Sequence, residues 1–121
     1  KLAMNLQISL LALALAEGIT LTKKAGFDPE KFLEILNSTY FKTGMSENKA
    51  YKMIKDEFEP TFTLKNLKKD LDIITAAAKD FGAVLPMAER ANEIYADALD
   101  AGFGEIDYTG ILAYIKKLSE D

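Results

Sequence analysis

The first 25 residues constrain the fold most, because they form one long apolar segment without proline. Between Leu2 and Ala16 the only polar residues are Asn5, Gln7 and Ser9. The longest unbroken apolar run, Leu10 to Ala16, is far shorter than the ~20 residues that span a membrane. A helix that is apolar on nearly all sides is typical of a bundle centre or an oligomer interface. We therefore predict a central helix ended by Gly26, self-association of the chain, and no membrane span.

The rest of the chain repeats the signals of helix starts and ends. Asp28 and Pro29 predict the start of a second helix, because aspartate caps helix N-termini and proline suits the first turn. Ser46 is predicted to cap a short third helix that Pro60 ends. Three longer helices are predicted to begin near residues 61, 86 and 107, with glycines at 82 and 102 closing the first two.

Apolar residues at three- and four-residue spacing give each of these helices one inward face. The residues predicted to face the core include Phe32, Ile35, Leu36, Tyr51, Ile54, Phe58, Leu64, Leu67, Leu71, Ile74, Ala78, Phe81, Met87, Ala91, Ile94, Tyr95, Ala98, Ile111, Leu112, Ile115 and Leu118. No alternating strand pattern competes with them. The sequence predicts an all-α, multi-helix bundle around the long apolar first helix, in one domain over residues 1–121.

Composition excludes several kinds of chemistry. The chain has no cysteine, and therefore no disulfide, zinc–thiolate site or thiol nucleophile. It has no histidine, so acid–base chemistry must use Lys, Asp, Glu or Tyr. The acidic residues form no convincing metal site, and a net charge of −4 argues against a nucleic-acid partner. Gly102-Phe103-Gly104 begins like a phosphate-binding GxGxxG loop, but Asp107 replaces the third glycine, which favours a helix end and linker.

Lys1 and Asn5 form the first candidate site. They are four residues apart and therefore share one helix face beside apolar surface. A lysine that loses hydration there is suited to proton transfer, and an asparagine one turn along can orient a carbonyl or hydroxyl group. The plainer alternative is a frayed terminal lysine and a solvated asparagine.

Lys65, Lys68 and Lys69 form the second candidate site. Lys65 and Lys69 are a like-charged pair one turn apart, in the first turns of a helix whose dipole favours anions there. The repulsion between the two lysines and their unfavourable interaction with the helix dipole both indicate an anionic ligand. The alternative is a solvated basic face balanced by Asp72. Asp70 lies at the edge of the apolar stripe, where partial burial and a polar partner are expected.

Several short motifs together resemble the C-terminal domain of the β-hydroxyacid dehydrogenases, a family that includes 3-hydroxyisobutyrate dehydrogenase, tartronate semialdehyde reductase and glyoxylate/succinic semialdehyde reductase. No single motif is specific, but their order and spacing cover nearly the whole chain. The motifs are Lys1-Leu2-Ala3-Met4-Asn5, Ala16-Glu17-Gly18, Ala25-Gly26-Phe27-Asp28-Pro29, Pro60-Thr61-Phe62-Thr63-Leu64-Lys65, Lys69-Asp70-Leu71, Leu85-Pro86, Ala91-Asn92-Glu93, Gly102-Phe103-Gly104 and Asp107-Tyr108.

The resemblance implies a helical fold like the C-terminal domain of 6-phosphogluconate dehydrogenase, in a cytoplasmic enzyme with an N-terminal Rossmann domain that binds most of the NAD or NADP. It implies that Lys1 is the catalytic acid–base and that Asn5 and Phe62 bind the substrate, a small hydroxy acid or aldehyde. It also implies cofactor contacts for Lys65, Lys69 and Asp70.

This chain carries no Rossmann motif and begins with Lys1 rather than methionine, so we interpret it as a fragment that is inactive alone. The alternative is a non-catalytic helical dimerisation module. The sequence does not identify the substrate, the oligomer order or the choice between NAD and NADP, because the residues that read the ribose lie on the Rossmann domain.

Overall fold

The computed structural model describes residues 1–120, and in this range the chain is helical and contains no strand. It has seven α-helices: α1 (Leu2–Lys24), α2 (Pro29–Asn37), α3 (Gly44–Asn48), α4 (Ala50–Ile54), α5 (Leu64–Phe81), α6 (Pro86–Ala98) and α7 (Ile111–Leu118). A π-helical segment, Leu99–Phe103, extends α6, and a 3₁₀ turn, Tyr108–Gly110, leads into α7. The predicted all-α class is confirmed.

Helix α1 is the centre of the bundle and packs against α5, α6 and α7. Its one fully buried polar residue, Ser9, donates its hydroxyl to the carbonyl of Leu6 at 2.8 Å. The Tyr95 hydroxyl on α6 donates to the Ser9 carbonyl at 2.9 Å, and burial raises the pKa of Tyr95 far above its usual value. Buried apolar residues of six helices, all except α3, meet in one continuous core, so the domain has what it needs to fold by itself.

The predicted start of α2 and the predicted end of α5 are confirmed by their capping geometry. The Asp28 carboxylate accepts a hydrogen bond from the backbone N–H of Glu30 at 2.9 Å, with Pro29 in the first turn. Gly82 ends α5 in the left-handed conformation, at φ +72°. Gly26 follows α1 and also has positive φ, whereas Gly102, at φ +98°, breaks the helical path inside the π-helical segment, beyond the end of α6.

The predicted short helix is wrong in its details. Thr43 is the N-cap of α3, and Ser46 is the third helical residue of a reciprocal capping box with Thr43. Its hydroxyl also donates to the Asn37 side chain at 2.7 Å, which ties α3 to the end of α2. The helix is interrupted at Lys49, which lies between α3 and α4, and the chain turns at Asp56, which has φ +58°.

Four residues predicted to face the core are exposed: Ile35, Phe81, Met87 and Leu118. In α6 the buried stripe is Ala88, Ala91, Tyr95 and Ala98 instead. This stripe, three alanines and Tyr95, is the buried face of α6, and Met87 lies outside it. In α2 the fully buried residue is Leu33, which the spacing argument missed.

Helix α1 is long and apolar enough to cross a membrane, judged by length and composition alone. The sequence argument against a membrane-spanning helix considered only the unbroken apolar run. It did not consider the length and mean hydropathy of the whole helix, and it is therefore insufficient. We interpret α1 as the predicted central helix, because six of its residues are buried against the other helices. Much of its apolar surface nevertheless remains exposed.

Candidate functional site

The structure joins the two predicted candidate sites through one hydrogen bond. The Asn5 side-chain amide on α1 donates to the Asp70 carboxylate on α5 at 2.7 Å, across 65 residues of sequence, and both side chains are half-buried. The Asn5 backbone N–H donates to the Lys1 carbonyl at 3.0 Å, so Lys1 lies one turn before Asn5. Lys69, next to Asp70, is exposed, as is Lys1. Each member of this half-buried polar pair therefore has an exposed lysine near it along the chain, Lys1 before Asn5 and Lys69 before Asp70.

Two of the three clustered lysines have carboxylate partners inside the chain. Lys65 forms an ion pair with Glu105 at 3.2 Å. Lys68 forms one with Asp72 one turn along, and the hydrogen bond from Lys68 is the main cause that lowers the pKa of Asp72. Lys69 has no ion pair within residues 1–120. Lys68 therefore has the Asp72 partner of the solvated-face interpretation, but its side chain is only 17% exposed. Lys69 is the lysine best placed to meet an outside anion.

The N-terminus of α5 offers no amide group to an anion. The backbone N–H groups of Leu64 and Lys65 donate to the carbonyls of Ile106 and Gly104, at 2.9 and 3.0 Å. The next N–H group, of Asn66, donates to the hydroxyl of the N-cap residue Thr63 at 3.2 Å. An anion at this end of the helix must therefore be held by side chains, since the first backbone amides of α5 are already bonded.

Gly104, whose carbonyl accepts the bond from Lys65, lies where the linker passes close to α5. A Cβ atom at this position would lie 2.4 Å from a methyl carbon of Leu99 and 3.7 Å from the Cβ of Lys65. A side chain at this position would therefore require the Leu99 side chain to move. This supports the interpretation of Gly102-Phe103-Gly104 as a helix end and linker rather than a phosphate loop.

Phe62 lies just before α5, eight residues ahead of Asp70. Its ring is half-buried and makes an edge contact with Tyr108, with ring centroids 6.2 Å apart. Its backbone carbonyl accepts a hydrogen bond from the Tyr108 N–H at 2.9 Å. The segment before α5 is thus anchored to the turn before α7, which fixes the place of the Phe62 ring.

A buried carboxylate provides this anchor, and the sequence revealed only part of its role. Asp107 is 3% exposed. It caps the turn before α7, as predicted, by accepting from the N–H and hydroxyl of Thr109 at 3.3 and 2.6 Å. Its other oxygen accepts from the N–H and hydroxyl of Thr61 and the N–H of Phe62, at 3.0, 3.1 and 3.2 Å.

Lys49 completes this group, which we call the Asp107 cluster (Lys49, Thr61, Phe62, Asp107 and Thr109). The Lys49 ammonium lies 3.3 Å from the Asp107 carboxylate and 4.3 Å from the centre of the Tyr108 ring. Burial alone raises the pKa of Asp107, but the hydrogen bonds from Thr109, Thr61 and Phe62 and the charge of Lys49 outweigh it and hold the pKa below its usual value. The cluster therefore keeps a buried, ionised carboxylate at the junction of three segments.

The Asn5–Asp70 contact predicts a measurable coupling between α1 and α5. We expect a double-mutant cycle of Asn5→Ala and Asp70→Ala to give a coupling energy of about 1–2 kcal/mol, because a half-buried carboxylate accepts the bond. Urea unfolding of the chain, followed by circular dichroism, measures it. The matched cycle pairs Asn5→Ala with Asp72→Ala, on the opposite side of α5, and should give a coupling near zero. Equal couplings in the two cycles would show that the contact is not specific.

Two solved structures share this helical fold. The chain superposes on a 3-hydroxyisobutyrate dehydrogenase from Salmonella typhimurium with a TM-score of 0.88, at 23% identity, over 94% of this chain and 40% of that one. A 3-hydroxyisobutyrate dehydrogenase from Mycobacterium tuberculosis gives 0.83 at 20% identity, over 95% of this chain and 42% of that one. The fold is therefore that of a helical domain found in such dehydrogenases.

Residues 1–115 match the family described as NAD-binding of NADP-dependent 3-hydroxyisobutyrate dehydrogenase, and the chain belongs to that family. Among its relatives, glyoxylate/succinic semialdehyde reductase 1 of Arabidopsis thaliana is 28% identical over 96% of this chain. The uncharacterized oxidoreductase YfjR of Bacillus subtilis is 32% identical over 96%. Cytokine-like nuclear factor N-PAC of Aedes aegypti is 32% identical over 80%.

The family resemblance read from the motifs is thereby confirmed. The family is one of NAD(P)-dependent hydroxyacid dehydrogenases. The chain spans 40% and 41% of the length of the two oxidoreductases and 17% of the nuclear factor. The activity of a whole protein therefore does not transfer to these 121 residues without further argument.

Proposed function

We propose that residues 1–121 are the C-terminal substrate and oligomerisation domain of an NAD(P)-dependent hydroxyacid dehydrogenase or semialdehyde reductase. The observation that supports this most is the Asn5–Asp70 hydrogen bond, because it joins two motifs that the family resemblance assigns to one site. A Rossmann domain outside these residues would bind most of the dinucleotide. The substrate would be a small hydroxy acid or aldehyde, held between the two domains.

Lys1 would be the acid–base residue. During reduction its ammonium would donate a proton to the carbonyl oxygen, and during oxidation its amine would accept the hydroxyl proton. The side chain begins one turn before Asn5 and is exposed in the isolated domain, where a second domain can cover it. Asn5, oriented by Asp70, would hold a substrate oxygen near Lys1. Phe62, fixed by the Asp107 cluster, would supply an apolar wall to the substrate site.

The residues present fit an edge contact with a dinucleotide rather than a pyrophosphate cradle. The first amides of α5 are already bonded within the chain, so charge must come from Lys69. Lys65 would first have to leave Glu105, and Asp70 acts through Asn5. The bound nicotinamide supplies or accepts the hydride. A cytoplasmic location belongs to the same proposal, although a second reductase relative is named as chloroplastic.

Activity measurements test the proposal directly. We expect the 121-residue chain alone to show no NADH- or NADPH-dependent reduction of glyoxylate or succinic semialdehyde. Joined to its dinucleotide-binding domain, it should turn over at least one of them, because the domains supply complementary halves of the site. Absorbance at the nicotinamide band measures both. Turnover by the chain alone would refute the proposal that both domains are needed for the active site. No turnover by the joined protein across a panel of C2–C4 aldehydes and hydroxy acids would refute the enzyme assignment.

The second candidate function is a non-catalytic helical dimerisation module. The similarity to N-PAC favours it, because that relative is named as a nuclear factor rather than an oxidoreductase. The presence of Lys1 and Asn5 at one end of α1 argues against it. The same assay separates the two, since a module gives no turnover in the joined protein.

A further inference from the structure

Lys49 lies at the break between α3 and α4, and its backbone is bonded to both. Its N–H donates to the Met45 carbonyl at 2.9 Å, and its carbonyl accepts from the Met53 N–H at 3.1 Å. Its side chain caps neither helix. That side chain instead reaches a distant part of the chain, and only 29% of it is exposed. A lysine that gives up most of its hydration and rotamer freedom is unusual on a surface, and its partners indicate its role.

The Lys49 ammonium has three partners within the chain. It donates to the Thr61 hydroxyl at 2.8 Å and lies 3.3 Å from the Asp107 carboxylate. It also lies 4.3 Å from the centre of the Tyr108 ring, within the range of a cation–π contact. An ammonium group has three donor hydrogens, and two acceptors and an aromatic face use them. Lys49 therefore has little left to offer a ligand.

Each of the three partners of Lys49 also holds Phe62. Thr61 directly precedes Phe62 in the chain. The Asp107 carboxylate accepts the Phe62 N–H at 3.2 Å. Tyr108 donates its N–H to the Phe62 carbonyl and makes the edge contact with the Phe62 ring. Lys49 is therefore linked to Phe62 through three separate groups.

The segment that carries Phe62 has no helix to hold it. Residues 57–62 lie outside any helix, between α4 and the N-cap of α5. Without the Lys49 ammonium, Asp107 keeps five hydrogen bonds from neighbouring groups, so the segment stays attached. The Thr61 hydroxyl loses a donor, however, and the Tyr108 ring loses the charge against its face. The Phe62 ring therefore gains freedom without the loss of a helix.

We propose that Lys49 is a positioning residue that fixes the Phe62 ring through its three partners, and that it thereby sets the chain length of the substrate that the site accepts. Lys49 itself does not touch the substrate. This inference rests on the proposed function, in which Phe62 is an apolar wall of the substrate site. One methylene group in an apolar pocket changes kcat/KM by about 10–200-fold. A small displacement of the ring is therefore enough to change which substrate is preferred.

The first experiment measures selectivity in the joined, active protein. The readout is the ratio of kcat/KM for succinic semialdehyde to kcat/KM for glyoxylate, which does not depend on the fraction of the enzyme that is folded. Lys49→Met keeps a long side chain without the charge and should shift this ratio by about tenfold. Most of the change should fall in KM, because Lys1 lies on a different part of the fold. Lys49→Arg should keep the natural ratio, since a guanidinium group also donates to carboxylates and stacks on aromatic faces.

Lys116→Met is the matched control. Lys116 also pairs with a carboxylate, that of Asp56 at 2.9 Å, and its side chain is also 29% exposed. Its loss should leave the selectivity ratio unchanged. Phe62→Ala should shift the ratio in the same direction as Lys49→Met. The double variant should match Phe62→Ala alone, because Lys49 has nothing to position once the ring is removed.

The second experiment needs no turnover. In the 121-residue chain, nuclear Overhauser contacts between the rings of Phe62 and Tyr108 report whether the Phe62 ring is held, since the ring centroids lie 6.2 Å apart. These contacts should weaken in Lys49→Met and persist in Lys49→Arg and Lys116→Met. Unchanged ring contacts in Lys49→Met would overturn the role of Lys49 and leave the enzyme proposal standing.

The kinetic results separate the two proposals in the other direction. An absence of turnover in the joined natural protein would refute the enzyme proposal, while the ring contacts would still show whether Lys49 holds Phe62. In an active joined protein, an unchanged selectivity ratio in Lys49→Met would overturn the positioning role. Additive effects of Lys49→Met and Phe62→Ala, or an equal shift in Lys116→Met, would overturn it as well, because Lys49 would then act by another way than through Phe62.

Discussion

Replacing Lys1 with alanine in the joined, active protein is expected to lower kcat by about 10²–10⁴-fold, the contribution typical of a positioned acid–base group. Cofactor binding should change little, because the proposed dinucleotide contact on this chain is Lys69, on a different helix. Steady-state kinetics with the substrate that the panel identifies, together with titration of NAD(P)H by its fluorescence, measures both quantities.

Lys1→Arg separates proton transfer from simple charge. Arginine keeps the positive charge but does not give up its proton in proteins, so we expect a loss of kcat close to that of Lys1→Ala. Small primary amines added to Lys1→Ala should restore part of the rate, since they replace the missing acid. Lys52→Ala, at an exposed lysine on α4, is the control and should keep normal kinetics. Near-normal turnover in Lys1→Ala, or full activity in Lys1→Arg, would contradict the catalytic assignment.

Most helices were predictable because their signals are local. Asp28-Pro29 at the start of α2 and Gly82 after α5 act on the nearest turn, and the structure shows both in the predicted roles. The three- and four-residue spacing of apolar residues was less reliable for predicting which individual side chains are buried. Met87 and Ala88 are neighbours, and only the packing of α6 on α1 decides which one is covered.

The contacts that build the candidate site were not predictable from local pattern. Asn5 and Asp70 are 65 residues apart, and the sequence pattern predicted a polar partner for Asp70 without identifying it as Asn5. The anion expected at α5 stays a prediction, and the state of the backbone amides there also depends on distant contacts. The dipole argument could not show that carbonyls of Ile106 and Gly104, some 40 residues away, already occupy the helix end. Long-range pairing, not propensity, determines such sites.

Asp107 has a predictable local role as a helix cap and a second, long-range role that the sequence did not show. Its bonds to Thr109 are local and were predictable from capping rules, whereas those to Thr61 and Lys49 span 46 and 58 residues. Those distant bonds anchor the segment that carries Phe62. The cluster therefore links the stability of the fold to the shape of the proposed substrate site.

We expect Asp107→Asn to lower the free energy of unfolding of the 121-residue chain by about 3–5 kcal/mol at pH 7. The asparagine amide would place an N–H₂ group against donors, either Lys49 and Thr109 or Thr61 and Phe62, and would leave Lys49 without its ion pair. A loss of this size is a large part of the total stability of about 5–15 kcal/mol that is typical of a domain. Urea unfolding followed by circular dichroism measures it.

The control for this variant is Asp56→Asn, which removes an exposed ion pair with Lys116. It should cost at most about 1 kcal/mol, because surface pairs contribute little and asparagine tolerates the positive φ of this position. If Asp107→Asn does not fold, Thr109→Val removes one buried donor to the same carboxylate and should cost about 1.5–3 kcal/mol. A loss below about 1 kcal/mol in Asp107→Asn would contradict the role of the cluster.

The pH dependence gives a sharper test, because the folded pKa of Asp107 lies below its unfolded value. The stabilisation by this carboxylate is complete above the unfolded pKa of about 3.9 and is lost as the pH falls from there through the folded pKa. The natural chain should therefore lose stability steeply below about pH 4, and Asp107→Asn should show a shallower decline, because it has already lost that contribution. Parallel acid curves for the two proteins would mean that other carboxylates control acid unfolding and that Asp107 is not the ionised anchor of this fold.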